Sequence, residues 1–132
     1  MKRIRVSAAV IKKEDQVLLA RRSARMSRPL KWEFPGGKLE EGEDDRDSLQ
    51  RELAEELGIE VRVGEYLGLV SHDYDDISID LAVYGVEILQ GEPEAREHCE
   101  LRWVKRADLP AYDLAAADIP VLDFLLGERP DG

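Results

Sequence analysis

Residues 44–58 constrain the fold of this 132-residue chain more than any other segment. Asp44 and Asp45 stand where acidic side chains favour the N-terminal end of a helix, and Gly58 stands where a left-handed C-terminal cap is expected. Between them, leucines recur at every fourth position, at Leu49, Leu53 and Leu57. This spacing predicts a helix over residues 44–57 with one apolar stripe that packs against another layer of structure.

The segments on either side of this helix predict strands. Residues 3–11 and 16–22 are apolar runs separated by a polar turn, a pattern typical of a hairpin. Further strands are predicted over residues 31–34, 61–70, 77–89 and 101–105, with a break at Pro35-Gly36-Gly37. A final helix is predicted over residues 119–126, and residues 128–132 are expected to form a frayed polar end.

Three glutamates share one face of the predicted helix. Glu52, Glu55 and Glu56 stand at positions i, i+3 and i+4, where like charges repel each other and destabilise an isolated helix. A hard divalent cation would remove that repulsion, because Mg²⁺ and Mn²⁺ prefer carboxylate oxygens. The preceding Gly36 and Gly37 allow the backbone to approach such an ion closely. The alternative is an ordinary solvated helix face.

The spacing of these residues resembles a known family. Residues 37–59 reproduce the Nudix box, G-x5-E-x7-R-E-U-x-E-E-x-G-U, in which U is a bulky aliphatic residue. Every fixed position is met, by Gly37, Glu43, Arg51, Glu52, Leu53, Glu55, Glu56, Gly58 and Ile59. The run WEFPGGK at residues 32–38 resembles the MutT-type branch, and residues 64–66 and 112–120 resemble bacterial CTP pyrophosphohydrolases.

The resemblance implies a fold and a cofactor. It implies an α/β/α sandwich with a mixed β-sheet, formed by one domain over residues 1–132. It also implies that Glu52, Glu55, Glu56 and the Gly37 carbonyl hold Mg²⁺ or Mn²⁺. Glu97 matches a later glutamate that contacts the metal or its water in MutT-like members. The four glutamates are therefore the expected catalytic residues.

The resemblance also suggests which residues bind the substrate. Arg22 matches a phosphate-contacting arginine, and Lys38 beside the glycines is a second phosphate candidate. Asp118 matches the position that recognises the base, with capping of the last helix as the alternative. Phe34 could stack on the base or belong to the core.

His98 is expected on the loop surface, and Cys99 is expected to be structural.

The implied activity is hydrolysis of a nucleoside triphosphate to a nucleoside monophosphate and pyrophosphate. Cytidine-type triphosphates, including modified dCTP, are the first expectation, and 8-oxo-dGTP is the alternative within the same class. A nucleotide-sensing domain without turnover is the alternative from another class.

The distribution of charge bears on the partners. The chain carries 29 acidic and 19 basic residues, for a net charge of −10. This balance argues against a surface that coats polymeric nucleic acid, but not against a nucleotide bound through a cation. No apolar run approaches the roughly 18 residues of a membrane span, and no secretion signal is evident. We therefore expect a cytoplasmic monomer or homodimer.

Overall fold

The computed structural model describes residues 2–126, and its elements follow the predicted order. The strands are β1 (Arg3–Lys13), β2 (Gln16–Arg21), β3 (Trp32–Glu33), β4 (Gly36–Lys38), β5 (Glu60–Asp73), β6 (Ser78–Gln90) and β7 (Glu100–Lys105). The helices are α1 (Asp45–Leu57) and α2 (Val121–Leu126), with 3-10 helices at Arg106–Ala111 and Ala116–Asp118. The predicted polar end at residues 128–132 lies outside the described residues.

The strands form one mixed sheet in the order β3-β2-β1-β6-β5. The β1 and β6 strands run parallel, and the other pairings are antiparallel. One edge of β1 pairs along its length with β6, whereas its other edge is divided between β4 near Ser7 and β2 near Lys13. The chain between β3 and β4 contacts β1 between these two pairings, where the Ala9 amide donates to the Pro35 carbonyl at 2.8 Å.

Alternate residues of the central strand enter two separate cores. Ala8 and Val10 of β1 face one core, which also contains α2 and the segment before it. Ala9 and Ile11 face the other core, beneath α1. The predicted leucine stripe of α1 is fully buried in this second core. The two layers on opposite faces of the sheet confirm the predicted α/β/α sandwich.

The ends of α1 follow the sequence signals. The Asp44 carboxylate accepts a hydrogen bond from the Asp47 amide, and Gly58 adopts the left-handed conformation at φ 71°. The final helix begins at Val121 rather than at residue 119, because residues 116–118 form a separate 3-10 turn. In the described chain, no helix is long and apolar enough to cross a membrane.

The predicted break at Pro35-Gly36-Gly37 is partly wrong. Gly36 and Gly37 belong to β4 and pair with Ala8 and Ser7 of β1. The absence of a side chain permits this close pairing, since a Cβ added at Gly36 would lie 1.9 Å from the Ser7 carbonyl oxygen. The glycines therefore attach the chain to the central strand.

Candidate active site

The glutamate face of α1 borders a cleft of about 720 Å³. The cleft extends over the sheet face that is opposite α1. Glu52 and Glu56 line this cleft, and the Glu52 side chain is only 14% exposed. Glu55 lies outside the lining and its side chain is 58% exposed. The structure thus brings two of the three predicted glutamates into the cleft and leaves the third at its rim.

Glu56 is electrostatically unusual. Burial and the neighbouring Glu52 carboxylate raise the pKa of Glu56 to about 9, with smaller contributions from Glu97 and Glu33. Its Oε1 atom is buried and has no hydrogen-bond partner among the described residues. A partly buried carboxyl with an unpartnered oxygen beside a second carboxylate is a favourable position for a cation.

Arg51 organises the acidic residues in front of the helix. Its Nε and Nη2 atoms donate to the two carboxylate oxygens of Glu43, at 2.7 and 3.0 Å. Its Nη1 atom donates to Glu52 and Glu55, at 3.2 and 3.1 Å. Arg51 and Glu43 therefore form a two-bonded ion pair, and these hydrogen bonds lower the pKa of Glu43. The pair fixes the loop to the helix.

Gly37 brings the backbone against the helix glutamates. A Cβ added at Gly37 would lie 2.3 Å from the Glu52 carboxyl carbon. Lys38 follows in the cleft lining, and its carbonyl accepts from Arg51 Nη2 at 3.2 Å. The absence of a side chain at residue 37 leaves the room that the Glu52 carboxylate occupies.

The oxygen-rich lining at this end suits a hard cation. Carboxylates and backbone carbonyls are the donors that Mg²⁺ and Mn²⁺ prefer, and the unpartnered Glu56 oxygen points to a missing ligand partner. Among residues 2–126, no three His, Cys, Asp or Glu side chains lie close enough together, as they stand, to hold a metal ion. Glu55 instead extends to Arg51, so it would have to turn toward the cleft to join Glu52 and Glu56.

The cleft lining contains another acidic residue that is not predicted from the sequence. Glu33 of β3 accepts from Arg22 Nη1 at 2.8 Å and contacts His98 Nε2 at 2.8 Å. The Arg22 guanidinium also donates to the Ser27 carbonyl and hydroxyl. Arg22 and Glu33 both line the cleft.

The expectation that His98 is a surface residue is wrong. Its side chain is only 1% exposed because it packs inward against Glu33, although His98 follows a run of exposed residues. Cys99 beside it is an exposed free thiol whose Sγ lies 3.7 Å from the Arg22 carbonyl. The Glu33–His98 contact joins residues 65 positions apart, so no local sequence pattern indicates it.

Asp118 lies deep in the same cleft. Its Oδ1 atom accepts a hydrogen bond from the Phe34 amide at 3.1 Å, and burial followed by the Glu33 charge raises its pKa well above the ordinary value. Asp118 precedes α2 by three residues and so does not occupy the N-cap of that helix. Phe34 is 3% exposed and belongs to the core while also lining the cleft.

Glu97 lies on the segment that crosses the C-terminal end of α1. The Arg96 amide donates to the Glu56 carbonyl at 3.3 Å, and Arg96 Nη1 donates to the Ala54 carbonyl. Glu97 itself is exposed, and its charge contributes to the raised pKa of Glu56. These contacts hold Glu97 near the glutamate face.

Comparison with known proteins places the chain in a family. Residues 1–125 match the NUDIX domain family. The chain is 41% identical to the CTP pyrophosphohydrolase of Escherichia coli, over 98% of this chain and 96% of that protein. It is 42% identical to the putative 8-oxo-dGTP diphosphatase 2 of Mycobacterium tuberculosis, over 86% of this chain and 81% of that protein.

A solved structure extends the agreement to the backbone. The crystal structure of a MutT NUDIX hydrolase from Burkholderia pseudomallei superimposes with a TM-score of 0.85 at 29% identity, over 95% of this chain and 99% of that chain. The predicted resemblance to MutT-type proteins is therefore confirmed. The glutamate-lined cleft, the matched fold and these relatives together establish that the chain belongs to the Nudix hydrolase family.

Proposed function

We propose that this enzyme hydrolyses nucleoside triphosphates to nucleoside monophosphates and pyrophosphate, with a preference for cytidine-type triphosphates. The observation that carries the proposal is the placement of Glu52 and Glu56 in the same cleft as Asp118. The cleft can therefore receive the phosphates of a nucleotide beside the helix glutamates and its base beside Asp118. We further propose that residues 1–132 act as one Nudix domain.

The proposed metal site consists of Glu52, Glu55, Glu56 and the Gly37 carbonyl. Nudix hydrolases generally use divalent metals, and this set of oxygens fits Mg²⁺ or Mn²⁺. When bound, the metal neutralises phosphate charge and makes a nearby water more acidic. The acidity of the cleft is then compatible with an anionic substrate.

The reaction that we propose forms one bond and breaks one. A water oxygen bonds to the β phosphorus, and the bridging oxygen leaves with the α phosphate as the nucleoside monophosphate. Glu97 or a helix glutamate accepts the proton that the water loses. Arg22 and Lys38 contact the phosphates, since a guanidinium and an ammonium both suit phosphate oxygens.

The base-binding end consists of Phe34 and Asp118 in this proposal. Asp118 can accept a hydrogen bond from an amino group of the base through its carboxyl oxygens. The N4 amino group of cytosine is such a donor. The similarity to a CTP pyrophosphohydrolase over nearly the whole chain favours cytosine.

A second candidate is 8-oxo-dGTP. Asp118 also complements guanine, whose edge presents the N1–H and N2 amino donors. The 42% identity to a putative 8-oxo-dGTP diphosphatase supports this alternative. A domain without turnover is the less favoured alternative, because every fixed position of the Nudix box carries its expected residue.

The proposal also covers the form of the substrate, the oligomeric state of the enzyme and its compartment. The net charge of −10 opposes binding of polymeric nucleic acid, so we propose free nucleotides as substrates. We propose a monomer or homodimer that acts in the cytoplasm.

A substrate panel tests the proposal. Purified protein with MgCl₂ is assayed on CTP, dCTP, 5-methyl-dCTP, 8-oxo-dGTP and the common triphosphates, with EDTA as the control. We expect the highest kcat/KM for a cytidine-type triphosphate, with monophosphate and pyrophosphate as products. In ¹⁸O-labelled water, the label should enter pyrophosphate. Absence of turnover on the whole panel contradicts the proposed function, and a higher kcat/KM for 8-oxo-dGTP selects the second candidate.

A further inference from the structure

We propose that His98 is a positioning residue that orients Glu33 and, through Glu33, the Arg22 guanidinium that faces the substrate cleft. The inference deepens the proposed function, on which it rests. Neither His98 nor Glu33 belongs to the Nudix box at residues 37–59.

The three side chains form a chain of contacts from the protein interior to the cleft. His98 Nε2 lies 2.8 Å from Glu33 Oε2, and Arg22 Nη1 lies 2.8 Å from Glu33 Oε1. Side-chain exposure is 1% for His98, 14% for Glu33 and 18% for Arg22. A carboxylate that is paired with Arg22 accepts hydrogen bonds, so His98 Nε2 is the donor. Each oxygen of Glu33 therefore has one designated partner.

Because its two carboxylate oxygens have different partners, the Glu33 side chain is held in one orientation. Without the His98 donor, Oε2 would lose its partner in a place where the carboxylate is mostly buried, and the carboxylate would be free to rotate. Arg22 would then lose the fixed anchor for Nη1 and keep only its bonds to Ser27 on the neighbouring loop. A guanidinium presents its remaining donors usefully only when its plane is fixed.

His98 also has a fixed attachment of its own. The next residue, Cys99, donates its backbone amide to the Arg21 carbonyl at 3.0 Å, at the end of β2. Two residues earlier, the Arg96 amide donates to the Glu56 carbonyl of α1. Backbone hydrogen bonds on both sides of His98 thus hold it in place, so its side chain can keep Glu33 in a fixed position.

The test compares two substitutions at residue 98. His98→Leu removes the donor, whereas His98→Gln retains an N–H at a similar reach. In the Mg²⁺-dependent assay with CTP, we expect His98→Leu to raise KM roughly tenfold with a smaller change in kcat. We expect His98→Gln to restore KM to within about threefold of the wild type. The same His→Leu change at His72, the other histidine, should alter kcat/KM by less than about twofold.

A double-mutant cycle shows whether His98 acts through Glu33. In a Glu33→Ala background, His98→Leu should change KM by less than about twofold, because the group that it orients is gone. Thermal unfolding of every variant verifies that the protein is folded at the assay temperature. Full additivity of the two substitutions, or an unchanged KM in folded His98→Leu, overturns the inference.

A binding measurement separates this inference from the proposed function. The Kd of a non-hydrolysable CTP analogue, measured with Mg²⁺ by calorimetry, should rise roughly tenfold in His98→Leu and recover in His98→Gln. If the wild type binds the analogue but hydrolyses no triphosphate, the proposed function fails while this pattern still supports His98. Equal Kd values for the wild type and His98→Leu overturn the role of His98.

Discussion

The two ends of the cleft each hold a carboxyl with a raised pKa, but the two carboxyls differ in their hydrogen-bond partners. At the Nudix-box end, Glu56 stands against Glu52 one helical turn away and keeps a buried oxygen without a partner among the described residues. At the other end, Asp118 is more deeply buried, yet its Oδ1 atom accepts from the Phe34 amide. The first end thus keeps an oxygen that the proposed cation could bind, whereas the second is already hydrogen-bonded within the protein.

This difference separates the expected roles of the two ends. An unsatisfied acidic pair changes most when a metal arrives, since the metal supplies the missing positive charge. A buried carboxyl that already has a hydrogen-bond partner should change little on metal addition, and in its proposed role it accepts a hydrogen bond from the base. The predictions below distinguish a response to metal from a response to the base.

The largest effect is expected at Glu56. Glu56→Gln keeps the size of the side chain but removes an anionic ligand, so kcat/KM with CTP and Mg²⁺ should fall about 10³-fold or more. The control is Asp47→Asn on the exposed face of α1, which should remain near the wild type. Activity of Glu56→Gln within tenfold of the wild type would contradict a metal-binding role for Glu56.

The next largest effect is expected at Asp118. Asp118→Ala removes the carboxyl that is proposed to bind the base, so kcat/KM for the preferred triphosphate should fall about 10–100-fold. Asp118→Asn retains a carbonyl oxygen that can accept a hydrogen bond from the base and should lose much less. The Mg²⁺ concentration for half-maximal activity should stay unchanged in both variants. A shift in that concentration would show that the two ends are not separable.

A smaller effect is expected at Gly37. The Cβ of Gly37→Ala would enter the space of the Glu52 carboxylate, so the Mg²⁺ concentration for half-maximal activity should rise several-fold to about tenfold. The control is Gly42→Ala, whose Cβ meets nothing within 4 Å but whose φ of 86° suits glycine. That variant should lose about 1 kcal/mol of stability without a change in Mg²⁺ dependence. Equal Mg²⁺ dependence in both variants would contradict the role of Gly37.

The smallest effect concerns stability against pH. Because the folded protein raises the pKa of Glu56 to about 9, it binds this proton more tightly than the unfolded chain. The stabilising contribution is complete below pH 4.5 and is lost as the pH rises toward 9. Saturating MgCl₂ should therefore raise Tm more at pH 9 than at pH 6, by about 2–4 °C.

The same comparison has an internal control. Glu56→Gln should show similar Mg²⁺-induced shifts in Tm at the two pH values, measured by calorimetry. Asp118 remains in this variant and its own raised pKa is not relieved by the metal. A wild-type shift in Tm that does not depend on pH would show that Glu56 is not the group that the cation replaces.

Local spacing explains why the α1 end could be predicted from the sequence. The leucine stripe, the Asp44 cap and the Arg51–Glu43 pair all join residues within about two helical turns or an adjacent loop. Helical periodicity alone places such residues on a shared face.

The other end depends on contacts that no local pattern encodes. Glu33 meets His98 from 65 positions away, and Asp118 meets Phe34 from 84 positions away. The two-residue strand that carries Glu33 is too short for alternation to indicate which way its side chain points. His98 lies among exposed residues, so its burial follows from the docking of the whole segment against β2 and α1.

The short stretch from Phe34 to Gly37 fixes the distance between the two ends of the cleft. The Phe34 amide is held by Asp118, the Pro35 carbonyl by Ala9, and Gly37 lies against Glu52. Three extended backbone steps span at most about 10–11 Å, and pairing with the central strand prevents that length from changing. If Asp118 binds the base and Glu52 holds the metal, as proposed, the backbone sets the distance between these two contacts. We then expect a ligand with a longer or shorter spacer to engage only one end.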